Sequence, residues 1–428
     1  MSNAEGTRTV AQSDDTETAG AEAVPESTPD PPPPTPSNPA PPRRPEPTGS
    51  ADPADPAEHP GPQESSVSSP RPDSSEPGSA EPDLSEPGLS ESDLSEPGLS
   101  ESGLSEPRTA APGTSAPPRP NGVARLLWQH PARVGFGVRR FRLGPARERL
   151  EGAERSFTAG FNAVLSGEAE RIDDLREDLR GFAYEGAGMA CATLDVLTLT
   201  GGRRLRELLS GPGMRYPHLI HLGTGRAYAR MRLRPMWGVR SVHPLLRWLA
   251  HDGFGFHQGF FSADRTVGRQ RTAGLMDRTR RAIFDQGLGR MLWFHECAGA
   301  DDVVLRIAEF PAGRRADLWS GVGLAATYTG GAGAADLGRL ASAAAEDGFR
   351  AHLAQGCAFA CASRLISAVV PEHTVAAAPV LCGAEVDEAA GWTDTALVAL
   401  GHNAHSGDHY QAWRAGVRKA WARRDRDL

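Results

Sequence analysis

Apolar residues recur at helical spacing along most of the chain that follows residue 122. In the stretch after residue 144, for example, they stand at Leu150, Ala153 and Phe157. Steps of three and four residues place such side chains on one face of an α-helix. Runs of alternating β-branched residues, which are typical of half-buried strands, are few. The pattern therefore predicts a mainly α-helical domain over residues 123–428.

A longer period is superimposed on the helical one. Six segments each carry a glycine, a second small residue two positions later, and apolar neighbours; the last has Ala358 in the second position. The first glycines are separated by 37, 30, 34, 34 and 35 residues, and a period near 34 is typical of stacked helical hairpins. We expect helical-hairpin repeats of about 34 residues, arranged as a solenoid or as a closed α-barrel-like array. The first glycines are Gly186, Gly223, Gly253, Gly287, Gly321 and Gly356.

Glycines inside helices need a physical reason. Each costs roughly 1 kcal/mol relative to alanine. A folded chain tolerates them where a neighbouring helix must approach closely, or where the backbone must face a ligand. We interpret the repeated glycines as close helix contacts, with a lined ligand cavity as the alternative. A dinucleotide-binding loop does not fit, because no β-branched strand precedes any of these segments.

The first part of the chain has a different composition. Residues 1–122 are rich in Pro, Ser, Glu and Ala and hold 22 acidic and 6 basic residues, a net charge of −16. Since the whole chain carries −8, residues 123–428 carry about +8. A segment with many prolines and few aromatic residues cannot bury enough apolar surface to fold. We expect residues 1–122 to be a disordered acidic tail.

Composition also limits the compartment and the partners. The five cysteines form no C-x-x-C pair, which fits reduced thiols and predicts a cytoplasmic protein. No secretory signal and no transmembrane segment are evident. Every basic residue except Lys419 is an arginine, as in proteins of GC-rich genomes, so the positive charge is weak evidence for nucleic acid. We predict no nucleic-acid partner, no metal site and no cofactor.

Several polar residues stand inside the apolar glycine segments. Repeats that stack in register would bring such residues to one face. A carboxylate in apolar surroundings has a raised pKa and can act as an acid or a base, and a histidine can shuttle protons. The alternative is that each residue caps a helix or satisfies a buried backbone group. The candidate catalytic residues are Glu185, Asp252, His257 and Asp285, and further polar residues of this kind are His221, Gln286 and His352.

Aromatic residues are dense in the same segments, as in FGFHQGFF over residues 254–261. Aromatic rings line apolar cavities and can face a cation. The candidate apolar pocket consists of Phe254, Phe256, Phe260, Phe261, Trp293 and Trp319. No nucleophile elbow, H-E-x-x-H motif or P-loop occurs, so the sequence leaves open whether the protein is an enzyme.

Five segments of the chain resemble those of a known bacterial family. They are RGFAYEGAGMA (Arg180–Ala190), LAHDGFGFHQGFF (Leu249–Phe261), IFDQGLGRMLWF (Ile283–Phe294), FPAGRRADLWSGVGLAATYTGG (Phe310–Gly331) and HLAQGCAFA (His352–Ala360). Over about residues 123–420 the chain resembles the UnbL-type enediyne biosynthesis proteins. The resemblance implies an accessory protein of an enediyne polyketide pathway, encoded beside a repeat protein and a membrane protein. It supplies no catalytic residue.

Three functional hypotheses follow from these observations. The first is an accessory protein of specialised-metabolite (antibiotic) biosynthesis, of the enediyne polyketide type, that binds or processes a long apolar polyene intermediate. Its partners would be biosynthetic enzymes or an apolar small molecule, with peripheral association with a membrane partner as an option. The second is a non-enzymatic helical-repeat scaffold for a biosynthetic complex. The third is a noncanonical terpene cyclase or isomerase acting on a prenyl substrate.

Overall fold

The computed structural model describes residues 122–235, 243–272 and 276–427. Within these ranges the chain forms α-helices joined by turns and contains no strand, which confirms the predicted mainly helical fold. Apart from Gly122, the predicted acidic tail lies outside the described residues. None of the described helices has both the length and the hydrophobicity needed to cross a bilayer.

The described ranges contain fifteen α-helices of very different lengths. In chain order they are α1 (Val123–Leu127), α2 (Phe136–Arg139), α3 (Arg147–Ser166), α4 (Glu177–Leu197), α5 (Arg203–Ser210), α6 (Pro217–Met231), α7 (Leu249–Phe261), α8 (Arg278–His295), α9 (Ala300–Ala308), α10 (Ala312–Thr329), α11 (Ala334–Glu346), α12 (Arg350–Ser367), α13 (Glu372–Cys382), α14 (Val386–Val398) and α15 (Gly407–Asp427). The predicted glycine segments lie in α4, α6, α7, α8, α10 and α12. Shorter helices, α5, α9 and α11, connect α4 to α6, α8 to α10 and α10 to α12 respectively.

Local chemistry sets the ends of the helices. The side chain of Asp277 caps α8 by accepting a hydrogen bond of 2.7 Å from the backbone N–H of Arg280. Pro217 occupies the first turn of α6. Backbone N–H groups in a first turn have no acceptor within the helix, so a proline there costs no helical hydrogen bond. At the other end of a helix, Gly167 closes α3 with a φ of 76°, a left-handed conformation that favours glycine.

The repeated glycines lie where successive glycine helices cross. A Cβ added at the first glycine of any of the six helices would lie much less than 3.0 Å from a backbone carbonyl oxygen, a separation that real Cβ atoms do not show. The carbonyl belongs to α3 for Gly186 and to the preceding glycine helix for the other five. Gly253 faces the Leu222 carbonyl in this way, and Gly287 faces that of Asp252. From α4 onward, each carbonyl belongs to the residue just before the first glycine of its own helix. The repeats therefore stack in one constant register.

The second glycines extend the same contact in the opposite direction. Each faces a backbone carbonyl of the next glycine helix, as Gly255 faces Phe284 and Gly289 faces Leu318. Gly160 of α3 faces Ala183 of α4 in the same manner, so α3 also belongs to the series. The 34-residue pattern did not reveal α3, because Thr158 occupies its first glycine position. The main role of these glycines is thus close helix packing, as expected from the sequence.

The series of helices curls so that its early and late members meet. The Arg364 guanidinium on α12 donates a 3.1 Å hydrogen bond to the Asp178 carbonyl at the start of α4. The rings of Phe182 on α4 and Tyr328 on α10 meet edge to face at 5.4 Å. The C-terminal helix α15 packs on α8, α12 and α14. Of the two arrangements left open by the sequence, the described residues form the closed one, with a filled interior.

Replacement of Gly287 by alanine should destabilise the protein by about 3 kcal/mol or more, because the new methyl group meets main chain that cannot rotate away. The matched control is Gly338→Ala in α11, where an added Cβ has nothing within 4 Å; this change should stabilise by up to about 1 kcal/mol. Urea unfolding of both variants measures the two effects. Equal effects of the two substitutions would contradict the assigned role of the glycines.

Candidate functional site

One face of every glycine helix points into the closed interior. Relative to the first glycine, the interior positions are four and one residues before it and three and seven after it, the spacing of a single helical face. Phe182 and Glu185 occupy such positions on α4, and Gln286, Arg290 and Phe294 occupy them on α8; all five line the interior. The remaining cavity, which we call the central cavity, has a volume of about 40 Å³. It has room for a few water molecules at most.

Two buried arginines organise the polar side of this interior. Arg226 on α6 donates to both carboxylate oxygens of Glu154 on α3, at 3.1 and 2.8 Å, and to Glu185 on α4 at 3.4 Å. Arg290 on α8 donates from Nε to Asp252 on α7 at 2.8 Å, and its Nη2 lies 3.9 Å from Glu185. All five side chains are at most 7% exposed. We call these five residues the central ion network.

Neutral side chains continue the network towards the C-terminal helix. Gln286 donates to the second oxygen of Asp252 at 2.7 Å, and its own carbonyl accepts from Ser320 on α10 at 3.2 Å. Gln355 on α12 donates to the Ser320 hydroxyl at 2.8 Å and accepts from Arg418 on α15. A continuous series of polar contacts therefore joins helices from α3 to α15 through the interior.

The charges of the central ion network balance only if one carboxyl group is neutral. It contains three carboxyl groups and two guanidinium groups. Burial raises the pKa of Glu185, opposed by Arg290 and Arg226, and the carboxylates of Glu154 and Asp252 raise it further. Protonation of Glu185 would leave two carboxylates facing two guanidinium groups. The raised pKa is the property that the sequence argument expected of a buried acid.

The four candidate catalytic residues do not form one site. Glu185 and Asp252 meet in the central ion network through Arg290. Asp285 is buried elsewhere, where it accepts a 2.9 Å hydrogen bond from Nε of Arg314 on α10, and burial raises its pKa. His257 lies on the wall of a second cavity. The structure thus brings together two of the four, and the other two lie apart.

The further polar residues of the glycine segments also separate. Gln286 belongs to the polar series described above. His221 lies inside α6 with its Nδ1 2.6 Å from the Pro217 carbonyl, and burial lowers its pKa to about 4. His352 on α12 contacts the ring of Phe349 edge to face. His221 thus contacts a backbone carbonyl, which is the alternative to a catalytic role that the sequence analysis considered.

The six candidate aromatic residues do not line one pocket. Phe256 lines the central cavity, with the guanidinium groups of Arg226 and Arg290 at 4.7 and 5.0 Å from its ring centre. Phe260 stacks on Phe256. Trp293 and Trp319 are buried, and their indole N–H groups donate to the Gly330 carbonyl and to Asp347 respectively. Phe254 and Phe261 line the second cavity.

The second cavity is far larger and strongly cationic; we call it the arginine cavity. It has a volume of about 880 Å³ and lies between α6, α7 and the segment preceding α3. The described residues of its lining include no aspartate or glutamate. They include two histidines, His251 and His257, and apolar side chains such as Phe157, Met189 and Phe254. The arginines of the lining are Arg133, Arg139, Arg226, Arg230, Arg232, Arg234, Arg265 and Arg280.

Sequence reasoning missed the arginines of both sites. Arg226 and Arg290 each come directly after the second glycine of their helix, in GTGRAYA and GLGRMLW. That position was the available signal, because a charge beside two closely packed glycines must be buried and therefore paired. Arg133 and Arg230 are 97 residues apart along the chain, and no local pattern brings them together.

The comparison with protein families concerns the same part of the chain that carries these sites. Residues 123–421 match the model of a family described as a protein of unknown function, DUF1702. The chain belongs to this family. The matched range runs from the start of α1 into α15 and so contains both cavities of the DUF1702 domain. No curated protein and no solved structure matches the chain.

Removal of the Arg226 charge should strongly destabilise this DUF1702 protein. Arg226→Met leaves Glu154 and Glu185 buried without their shared partner, which typically costs about 3–5 kcal/mol. In chemical denaturation, adding Glu154→Gln to this variant should recover part of the loss. Glu388→Gln is the control, because Glu388 pairs with Arg424 at the surface and such pairs contribute about 1 kcal/mol or less. A loss below about 1 kcal/mol for Arg226→Met would contradict the network.

The stability of Glu185→Gln should depend on pH differently from that of the wild type. Because the folded pKa of Glu185 lies above its ordinary value of 4.5, the unfolded state loses this proton first as the pH rises. The wild type therefore loses free energy of unfolding above pH 4.5, and the glutamine variant lacks this loss. Denaturation curves measured between about pH 4 and pH 8 test the difference. A gap between variants that stays constant over this range would refute the raised pKa.

Proposed function

We propose that this protein is an accessory protein of specialised-metabolite biosynthesis that binds or processes a small molecule in the arginine cavity. The observation that carries the proposal is the cavity itself. Its volume of about 880 Å³ falls in the range of small-molecule sites. Its lining joins arginines to apolar side chains such as Phe157 and Phe254. A ligand with a charged group and an apolar body matches both parts of this lining.

An enediyne polyketide-type pathway is the proposed setting, and it rests on the resemblance of five segments to UnbL-type proteins. The long apolar polyene intermediate expected from that resemblance would supply the apolar body of the ligand. The central cavity, at about 40 Å³, is too small for such a chain. The arginine cavity is therefore the proposed binding place.

One shared residue links the proposed binding place to the central ion network. Arg226 lines the arginine cavity and also holds Glu154 and Glu185 of the central ion network. An anion that binds the guanidinium of Arg226 changes the electrostatic field at Glu185, whose pKa is already raised by burial. Glu185 is therefore a positioning residue in this proposal: it holds Arg226, which lines the cavity, and does not itself contact the ligand.

The other two hypotheses have weaker support. A scaffold commonly uses an open concave face, whereas the described repeats close around a filled interior. A cyclase would use aromatic faces directed at a cationic intermediate. Here both Arg226 and Arg290 already lie near the ring of Phe256, and the aromatic candidates are spread over several places.

The experiment blocks the cavity without touching its charges. Ser262 lines the cavity, and none of the described hydrogen bonds uses its hydroxyl group as a donor or acceptor. Ser262→Trp should fill part of the space. A native host that lacks the gene is complemented with wild type, with Ser262→Trp, and with Ser342→Trp, a control at an exposed position of α11. High-resolution mass spectrometry then compares the metabolite profiles.

We expect the deletion strain and the Ser262→Trp strain to accumulate the same intermediate, while the Ser342→Trp strain matches the wild type. Thermal melting of the purified variants checks that both remain folded. Full restoration by folded Ser262→Trp protein would contradict a role for the cavity. An unchanged profile in the deletion strain would contradict a role in specialised metabolism.

A further inference from the structure

The arginine cavity concentrates positive charge that carboxylates compensate only in part. Among the described residues, eight arginines and no carboxylate line the cavity, and one of these arginines, Arg280, pairs with Asp277 outside it. The carboxylates that Arg226 binds, Glu154 and Glu185, lie on the side of the central cavity. Clustered positive charges raise the local concentration of anions. Four of these arginines are exposed at the cavity mouth, namely Arg133, Arg232, Arg234 and Arg265. The charge distribution therefore favours an anionic ligand over a neutral or cationic one.

The arginines also repel one another. Burial lowers the pKa of Arg139, and the positive charge of Arg133 lowers it further. The same two causes, in the same order, lower the pKa of Arg230. Arg133 therefore lies close enough to Arg139 and Arg230 to destabilise the charges of both, although Glu154 partly opposes this effect at Arg139. An anion bound among them would relieve this repulsion.

Buried polar atoms without partners point to the same place. His251 is 1% exposed, and neither of its ring nitrogens has a hydrogen-bond partner among the described residues. Three other buried atoms also have no hydrogen-bond partner among the described residues: Nδ1 of His257, Nε of Arg226 and Nε2 of Gln129. All four residues line the arginine cavity. Since buried polar groups normally have partners, these atoms are suited to contact a ligand.

The histidines add hydrogen-bonding capacity and no charge. Burial, followed by the charges of Arg226, Arg230 and Arg139, lowers the pKa of His257 well below its usual value. Burial and the charge of Arg280 lower the pKa of His251 to about 4. At neutral pH each ring is thus uncharged and carries one N–H donor. The arginines supply the charge that attracts the anion.

Because part of the lining is apolar, a ligand with an apolar part fits the cavity better than a purely ionic ligand. Phe157, Met189, Ala229 and Phe254 lie beside the arginines. The guanidinium of Arg226 stands 3.5 Å from the ring centre of Phe157, so charge and apolar surface are in direct contact. An extended polyanion such as nucleic acid would leave this concave apolar surface unused.

From these observations we infer that the arginine cavity binds a phosphate or diphosphate head group carried on an apolar chain. A carboxylate offers one charge and two oxygens. A phosphate monoester offers up to two charges and three acceptor oxygens at neutral pH, and the planar fork of arginine matches it in bidentate geometry. Several convergent arginines and unpaired donors match the larger acceptor. This inference rests on the proposed small-molecule function and names its ligand class.

Titration calorimetry on the full chain tests the head group. The probes are decyl phosphate and decanoate, which share a ten-carbon chain and differ in the anion, with inorganic pyrophosphate as a head group alone. Decyl phosphate should bind about tenfold or more tightly than decanoate, because each additional charge-assisted hydrogen bond is worth roughly that factor. Its affinity should fall as salt is added, through screening. Pyrophosphate should compete with decyl phosphate for the same site.

Arginine variants locate the binding. Arg133→Gln and Arg230→Gln should each weaken decyl phosphate binding about tenfold. Arg203→Gln is the control, because Arg203 is exposed on α5 and is absent from the cavity lining; its affinity should equal that of the wild type. Equal losses for all three variants would show that net charge alone causes the attraction, and would overturn the assignment.

The remaining outcomes distinguish a failure of the phosphate inference from a failure of the proposed small-molecule function. Equal affinities for decyl phosphate and decanoate would overturn the phosphate inference and leave the proposed small-molecule function in place. If neither decyl phosphate nor decanoate bound, the phosphate inference and the proposed small-molecule function would both be overturned. Tighter binding of a short single-stranded RNA than of decyl phosphate would also overturn the inference, because it would identify the cavity as part of a nucleic-acid surface.

Discussion

The close contact between a glycine and a backbone carbonyl of the neighbouring helix is the constraint on which the rest of this structure depends. It recurs with one register from α3 to α12, so the same helical positions face inward in every repeat. Any side chain at these glycines would push two helix backbones apart. The apolar surface buried between the closely packed helices offsets the conformational cost of the glycines.

The constant register explains how charges come to lie inside an otherwise apolar fold. Positions one before and three after the first glycine face the interior, and some of them carry Glu185, Arg226, Gln286 and Arg290. Because water is excluded there, each charge must find a partner on another helix. Arg226 serves both this network and the arginine cavity. The packing of the fold and the proposed ligand site therefore share one residue.

Much of the fold was predictable from the sequence, and the sites were predictable only in part. Helical periodicity and the repeated glycines indicated the helices and their close packing. Asp285 and Gln286 show where the argument failed: adjacent helical positions differ by about 100° in direction, so one faces Arg314 and the other Asp252. A repeat whose length varies from 30 to 37 residues does not define that rotation. The arginine cavity joins residues distant in sequence, and only the closure of the array brings them together.

Hydrogen exchange measured by mass spectrometry tests most directly the claim that one register closes the repeats into a single unit. Amides around the glycines of α4, α6, α7, α8, α10 and α12 should exchange only through global unfolding, with one common free energy of opening. An open array with neighbour-only contacts would instead lose protection from its ends inward. Early exchange of α4 and α12 at a free energy well below that of α7 and α8 would contradict the closed arrangement.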